Sequence, residues 1–230
     1  MWYWMLNPEW RRLWRLRRTP QGPMHEFLSQ PFPSPRLDYR KADYLAVDLE
    51  TTGLDPNLDD ILSVGFLTLR GDRIDLSTAR HHLVRPTRAI PESSAVIHQI
   101  TDDQAAQGEL LEDVMRELLR ELAGKVLIAH HARVELSFLG VTCKRLFGSR
   151  LLVPTIDTQL IAKQWLEQRH KVIKPGGLRL HALGDQFNLP RYLAHNALSD
   201  ALAAAELFVA QCAARDSGKG FPLREFLMPW

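Results

Sequence analysis

The sequence predicts an α/β domain, a mixed β-sheet flanked by helices. Three observations carry that expectation. Apolar, β-rich runs come first, at 44–47, 61–70 and 74–84, with the turn Gly71-Asp72 between the last two. Helical apolar spacing then takes over, at 110–122, 134–147, 158–167, 180–187 and 198–212. A further short apolar run, 125–129, lies among the helices. Strands first, then strand and helix in alternation, make a mixed sheet.

The first 40 residues differ from the rest. Trp2, Trp4, Trp10 and Trp14 lie here, interleaved with Arg11, Arg12, Arg15, Arg17 and Arg18. Leu6, Trp10, Leu13 and Trp14 fall at helical spacing, which predicts a short amphipathic helix. Five prolines between Pro20 and Pro35 predict an extended connector after it. Residues 1–40 are therefore expected to form an arm and linker outside the catalytic core, docking on its own domain or on a protein partner in preference to an anionic membrane surface. An enzyme domain would follow over 41–215, then a C-terminal tail over 216–230.

Two cysteines, Cys143 and Cys212, in neither a CxxC nor a His-rich cluster, argue against a zinc site or a disulfide framework. They suit a reducing, cytoplasmic setting. No uninterrupted apolar run reaches the roughly 18 residues of a membrane span, so no transmembrane segment is expected. The formal net charge of +2 decides little about partners, because a basic track and an acidic metal site offset each other.

Chemistry concentrates in three places. In Asp48-Leu49-Glu50-Thr51-Thr52-Gly53, residues two apart on a strand share a face, so Asp48 and Glu50 project together. Adjacent carboxylates repel each other and lose hydration unless a cation sits between them. Mg²⁺ or Mn²⁺, hard ions that prefer oxygen, would serve; a solvated acidic turn is the plain alternative. In His195-Asn196-Ala197-Leu198-Ser199-Asp200, a separation of five on one helix would set the two side chains about 140° apart. They converge only if His195 lies on a loop and Asn196 caps the helix carrying Asp200. In Ala129 to Glu135, the glutamate falls in a first helical turn, where the helix dipole favours a carboxylate whether or not it binds metal.

Taken together and in this order, the segments resemble the DnaQ-like exonucleases of the DEDDh group, which include the proofreading subunit of bacterial replicative polymerase. The resemblance runs from about Tyr44 to Gln211. Asp-x-Glu-Thr-Thr-Gly-Leu is complete at Asp48–Leu54, and His-x-x-x-x-Asp at His195–Asp200. Val96 to Thr101 and Ile156-Asp157-Thr158 resemble two further family segments. The middle motif, usually His-Asn-Ala-x-Phe-Asp, stands here as His130-His131-Ala132-Arg133-Val134-Glu135, with glutamate for aspartate.

The resemblance implies a ribonuclease H-like fold and 3′→5′ removal of nucleoside 5′-monophosphates from single-stranded or 3′-end nucleic acid, DNA favoured over RNA. It implies two ions, Mg²⁺ or Mn²⁺. Asp48 would bridge them, Glu50 and Asp200 would support one, Glu135 would act on the other, and His195 would be the general base. Thr51, Thr52 and His98 would contact substrate. Asp157 is expected to cap its helix and is left out of the ligand set. An RNA-trimming enzyme and a catalytically weak 3′-end-binding module are the alternatives.

Overall fold

Strand β1 (Asp43–Thr51) runs through the middle of a five-stranded sheet because its residues are apolar on both faces. In a computed structural model of the chain, which describes residues 8–88, 90–91, 100–193 and 195–229, the sheet order is β3-β2-β1-β4-β5. Strands β2 (Ile61–Arg70) and β3 (Arg73–Leu83) meander antiparallel to β1, while β4 (Val126–Ala129) and β5 (Thr155–Asp157) run parallel to it. Helices α1 (Pro8–Leu16) and α2 (Pro23–Ser29) precede the sheet. The remaining helices are α3 (Asp102–Ala106), α4 (Leu111–Leu122), α5 (Arg133–Phe147), α6 (Thr158–Gln168), α7 (Leu180–Gln186) and α8 (Ala197–Arg215). The expected mixed sheet flanked by helices is the observed architecture.

Alternation along β1 assigns each residue to a layer. Leu45, Val47 and Leu49 join Val64 and Phe66 under α2, α4 and α5. Tyr44 and Ala46 join Leu67 and Leu69 under α8, through Ala201, Ala205 and Phe208. Next on that second face come Asp48 and Glu50. By length and apolarity α8 could cross a membrane. Its apolarity is accounted for by the sheet it covers, on which Ala201, Ala205, Phe208 and Cys212 are fully buried.

The amino-terminal segment departs from expectation in two ways. Residues 23–29, read as extended from their prolines, form α2: Pro23 occupies a first-turn position, where a missing N–H costs nothing. Met24, Phe27 and Leu28 then fall at i, i+3 and i+4 and are buried in the core under α4 and α5. Helix α1 is the expected amphipathic helix, but it packs through Arg12 and not through its apolar stripe. Arg12 is buried, while Trp10, Leu13 and Trp14 are exposed. The guanidinium donates to the Leu28 carbonyl and pairs with Glu9, whose carboxylate accepts the Phe32 N–H at 2.7 Å. A buried cation is tolerable because these partners satisfy it, and they set the helix rotation. At the other end, Leu223 and Phe226 are buried and Leu227 bridges Ile156 on the outer edge of β5. Packing thus crosses both expected boundaries, residues 40 and 216.

Leu28→Ala is accordingly expected to destabilise the protein by about 2–5 kcal/mol, as truncations of fully buried leucines do. Urea unfolding of the full chain checks this. A loss below about 1 kcal/mol would return the segment to a peripheral role.

Candidate active site

Asp48, Glu50 and Asp200 meet where β1 ends and α8 begins. One oxygen from each lies within 4.8 Å of the other two. Glu50 is 5% exposed, whereas Asp48 keeps an opening to solvent. A register shift between Glu50 and Thr51, skipping Leu62 on β2, ends regular pairing there and bends the strand next to the site.

Asp200 is placed by the loop before its helix. Asn196 caps α8, its side chain accepting the Ser199 N–H at 3.1 Å. The Asp200 carboxylate reaches back to accept the His195 N–H at 2.9 Å through Oδ2. His195 adopts φ 64°, a left-handed conformation uncommon for a residue with a Cβ. Histidine and aspartate are thus locked together by the backbone, on loop and helix as their spacing required. The other Asp200 oxygen, Oδ1, is buried without a hydrogen-bond partner.

Glu135 sits in the first turn of α5, 4% exposed, and its Oε2 is likewise buried and unsatisfied. Burial pushes its carboxyl up to about 8, with Asp157 and Glu50 adding to the shift. Asp48 is raised well above the usual carboxylate range, by burial first and then by Glu135, Glu50 and Asp200. Asp200 is raised by burial, against the His195 N–H bond, which lowers it. Mutual repulsion and stranded lone pairs, all on oxygen, are what a hard divalent cation relieves.

A pH effect follows for the metal-free protein. The unfolded chain releases the Glu135 proton near pH 4.5, while the folded chain holds it to about 8. Across that window the folded state binds more protons, so stability falls as pH rises. Melting temperatures taken in a chelator should decline from pH 4.5 to 8, and Mn²⁺ should flatten the decline. Identical slopes with and without Mn²⁺ would remove Glu135 from the metal-sensitive cluster.

The remaining sequence candidates are placed differently. The Thr51 hydroxyl donates to the Gly53 carbonyl at 2.6 Å, and the Thr52 hydroxyl accepts the Asp60 N–H at 2.9 Å, so both work within the turn after β1. His98 lies outside the described residues. Asp157 caps α6: its Oδ1 accepts the Gln159 and Leu160 N–H groups at 2.9 and 3.2 Å and the His131 N–H at 3.1 Å. That leaves it a structural carboxylate, as expected.

Four residues around the site were missed. Gly65 pairs with Asp48 on one side and His81 on the other, and a Cβ there would enter the backbone of Ala197 and Leu198 at the start of α8. His81, exposed on β3, lies close enough to Glu50 to interact electrostatically, and His181 does the same with Asp200. His130 is pushed down to about 4 by burial. Its Nδ1 lies 2.8 Å from the Thr158 hydroxyl and its Nε2 2.9 Å from the Leu178 carbonyl. A carbonyl only accepts, so Nε2 carries the proton. An isolated glycine inside the apolar run 61–69 was a legible sign of close backbone approach. His81 carried no such signal, because its place beside Glu50 depends on strand pairing.

Comparison with known proteins places this geometry. The exonuclease family model RNase_T matches residues 45–208. A DNA polymerase III subunit epsilon of Treponema pallidum is 31% identical over 172 residues, 74% of this chain and 76% of the relative. A DNA polymerase III PolC-type of Thermotoga maritima is 31% identical over 168 residues, 73% of this chain. The match spans only 12% of that relative's length. Among solved structures, Exonuclease X in complex with 5′ overhanging duplex DNA has a TM-score of 0.58 at 23% identity, covering 75% of this chain and 92% of its own. The nuclease domain of 3′hExo, a DEDDh family member bound to rAMP, has a TM-score of 0.63 at 15% identity, covering 80% and 98%. These last two share the ribonuclease H-like fold. With the family match running from β1 into α8 and so spanning the carboxylate cluster, the chain belongs to the DnaQ-like (DEDDh) exonucleases.

Proposed function

We propose that this exonuclease acts 3′→5′, releases nucleoside 5′-monophosphates, prefers DNA to RNA, and works with two Mg²⁺ or Mn²⁺ ions. The observation that carries the reading is the convergence of Asp48, Glu50 and Asp200, with the orphaned Glu135 Oε2 buried near them. An all-oxygen donor set with stranded lone pairs fits hard divalent ions, and these four carboxylates would hold them. Bound there, such ions supply Lewis acidity to the scissile phosphate and acidify the attacking water.

The chain's own groups then have distinct tasks. The His195 imidazole takes a proton from the attacking water as its oxygen bonds to phosphorus. The bond from phosphorus to the 3′ oxygen of the preceding nucleotide breaks, and that oxygen gains a proton to leave a new 3′-OH. Asp200, bonded to the His195 backbone, keeps base and carboxylate cluster in register. Near-neutral basicity suits imidazole to this task.

Support for DNA comes from the relatives named as DNA polymerase III components and from the duplex DNA held by Exonuclease X. The rAMP bound to 3′hExo favours RNA as a second reading. End-labelled 20-mers of DNA and RNA, with Mg²⁺, separate these. A 3′ label should appear at once as mononucleotide, a 5′ label should shorten through a ladder, and DNA should be consumed faster. Early release of the 5′ label would reverse the direction, and faster loss of RNA would reverse the preference. His195→Ala should lose about 10²–10⁴-fold in kcat, the usual worth of a general base. Wild-type rates across pH 6–9 would end that assignment.

A further inference from the structure

Between Gln168 and Gly184 the chain carries Arg169, Lys171, Lys174 and Arg179 and no carboxylate. That is a local charge of +4 in a chain whose total is +2. Arg169 is engaged over the Trp165 ring. Lys171, Lys174 and Arg179 are exposed, and among the described residues none of the three is ion-paired. A charge run alone is usually a solvated face. This one is tied to the active site.

The tie is the Leu178 carbonyl. It accepts from His130 Nε2 at 2.9 Å and from Gln159 Nε2 at 3.3 Å. Ile128 of β4 pairs in parallel with Ala46 of β1, so His130, just past β4, lies at the same end of the sheet as Asp48 and Glu50, and His181, which follows the loop on α7, is close enough to Asp200 to interact with it. The inner end of the basic loop is thereby fastened beside the carboxylate cluster. Its outer part turns through Pro175-Gly176-Gly177, with the Gly177 N–H on the Lys174 carbonyl at 2.9 Å and Gly176 at φ 74°. Val172, 90% exposed, stands among the cations.

We propose that the 169–179 loop binds the phosphodiester backbone of the strand whose end lies in the active site. The inference rests on the exonuclease reading above and names where the rest of the strand runs. A cluster of carboxylates repels a polyanion, and cations next to it offset that repulsion and steer the strand inward. Apart from the exposed His170, the exposed side chains of the 170–179 stretch are charged or aliphatic, with no Phe, Tyr or Trp and no side-chain amide to read a base edge. Contacts of this kind fix position without reading sequence. Binding through this loop is therefore sequence-independent, salt-dependent, and stronger for long strands than for a dinucleotide.

The test compares wild type with Lys171→Gln/Lys174→Gln/Arg179→Gln. Fluorescence anisotropy is read with a labelled DNA 20-mer and a labelled dinucleotide, both protected by 3′ phosphorothioate linkages, with Ca²⁺ filling the carboxylates. Each phosphate neutralised contributes about 0.7 to the slope of log K against log salt for single strands. Removing three cations should lower that slope by about 2 and weaken the 20-mer by roughly tenfold or more at moderate salt. The dinucleotide should lose several-fold less. An unchanged slope, or equal losses on both ligands, overturns the proposal. If wild type leaves end-labelled 20-mers intact while the variant still shows the length-dependent loss, the exonuclease reading fails and the binding loop stands.

Discussion

Asp48→Asn is expected to abolish hydrolysis and, in the same protein, to raise the melting temperature measured without metal. The two effects have one origin. Asp48 is raised well above the ordinary carboxylate range by burial and by three neighbouring carboxylates. Asparagine keeps the shape and removes that repulsion, and unpaired buried charge is among the costlier features of a fold. One kcal/mol regained would raise the melting temperature by about 2–4 °C in a chain of this size. Metal reverses the order. At about a hundred times its Kd, a ligand stabilises the fold it binds by about 2.7 kcal/mol, and the variant forfeits most of this for Mn²⁺. Loss of turnover should exceed the ~10²–10⁴-fold typical of a general base. Thermal melts in chelator and in Mn²⁺, with kcat on the same preparations, check all of it. A variant that melts lower than wild type without metal would show that Asp48 is a supporting hydrogen-bond acceptor rather than one of a repelling set.

The parts of this site legible in the sequence were those set by local periodicity. Strand alternation alone put Asp48 and Glu50 on one face, and the spacing of His195 and Asp200 with Asn196 between them required a loop and a capped helix. What stayed illegible depended on which strands pair. His81 reaches the neighbourhood of Glu50 because β3 aligns it with Gly65 and Gly65 with Asp48. No local pattern encodes that alignment. β5 is three residues long, too short for a period to show. Helix α2 was misread because prolines were counted as composition when Pro23 acts by position, at a helix start. Which face of helix α1 turns inward was not legible, because hydrophobic spacing ignores a buried ion pair. Arg12, satisfied by Glu9 and the Leu28 carbonyl, outweighs that pattern.

Gly65→Ala is expected to lose about 100-fold or more in kcat while leaving the protein folded. The three convergent carboxylates come from two pieces: Asp48 and Glu50 from β1, Asp200 from the first turn of α8. Gly65 lies between them, beside Asp48 in the sheet and directly beneath the Ala197–Leu198 peptide. The atoms a new Cβ would meet are backbone, not the end of a flexible side chain, so the helix start must move. Farther along, α8 is held by Phe208 against Tyr44 at 5.2 Å and by the buried Ala201 and Ala205. Displacement therefore concentrates at the amino-terminal turn, taking Asp200 and the attached His195 away from Asp48. Misplacement of about 1 Å in a reacting constellation costs about 10²-fold. Mn²⁺ titration by calorimetry should show weakened binding in parallel, which simple destabilisation of the fold would not produce at temperatures well below the melt. Gly140→Ala is the matched control, since a Cβ there meets open space inside α5. Wild-type kcat and Mn²⁺ affinity in Gly65→Ala would mean that the sheet yields instead of the helix, and that Gly65 does not set the distance between the two halves of the site.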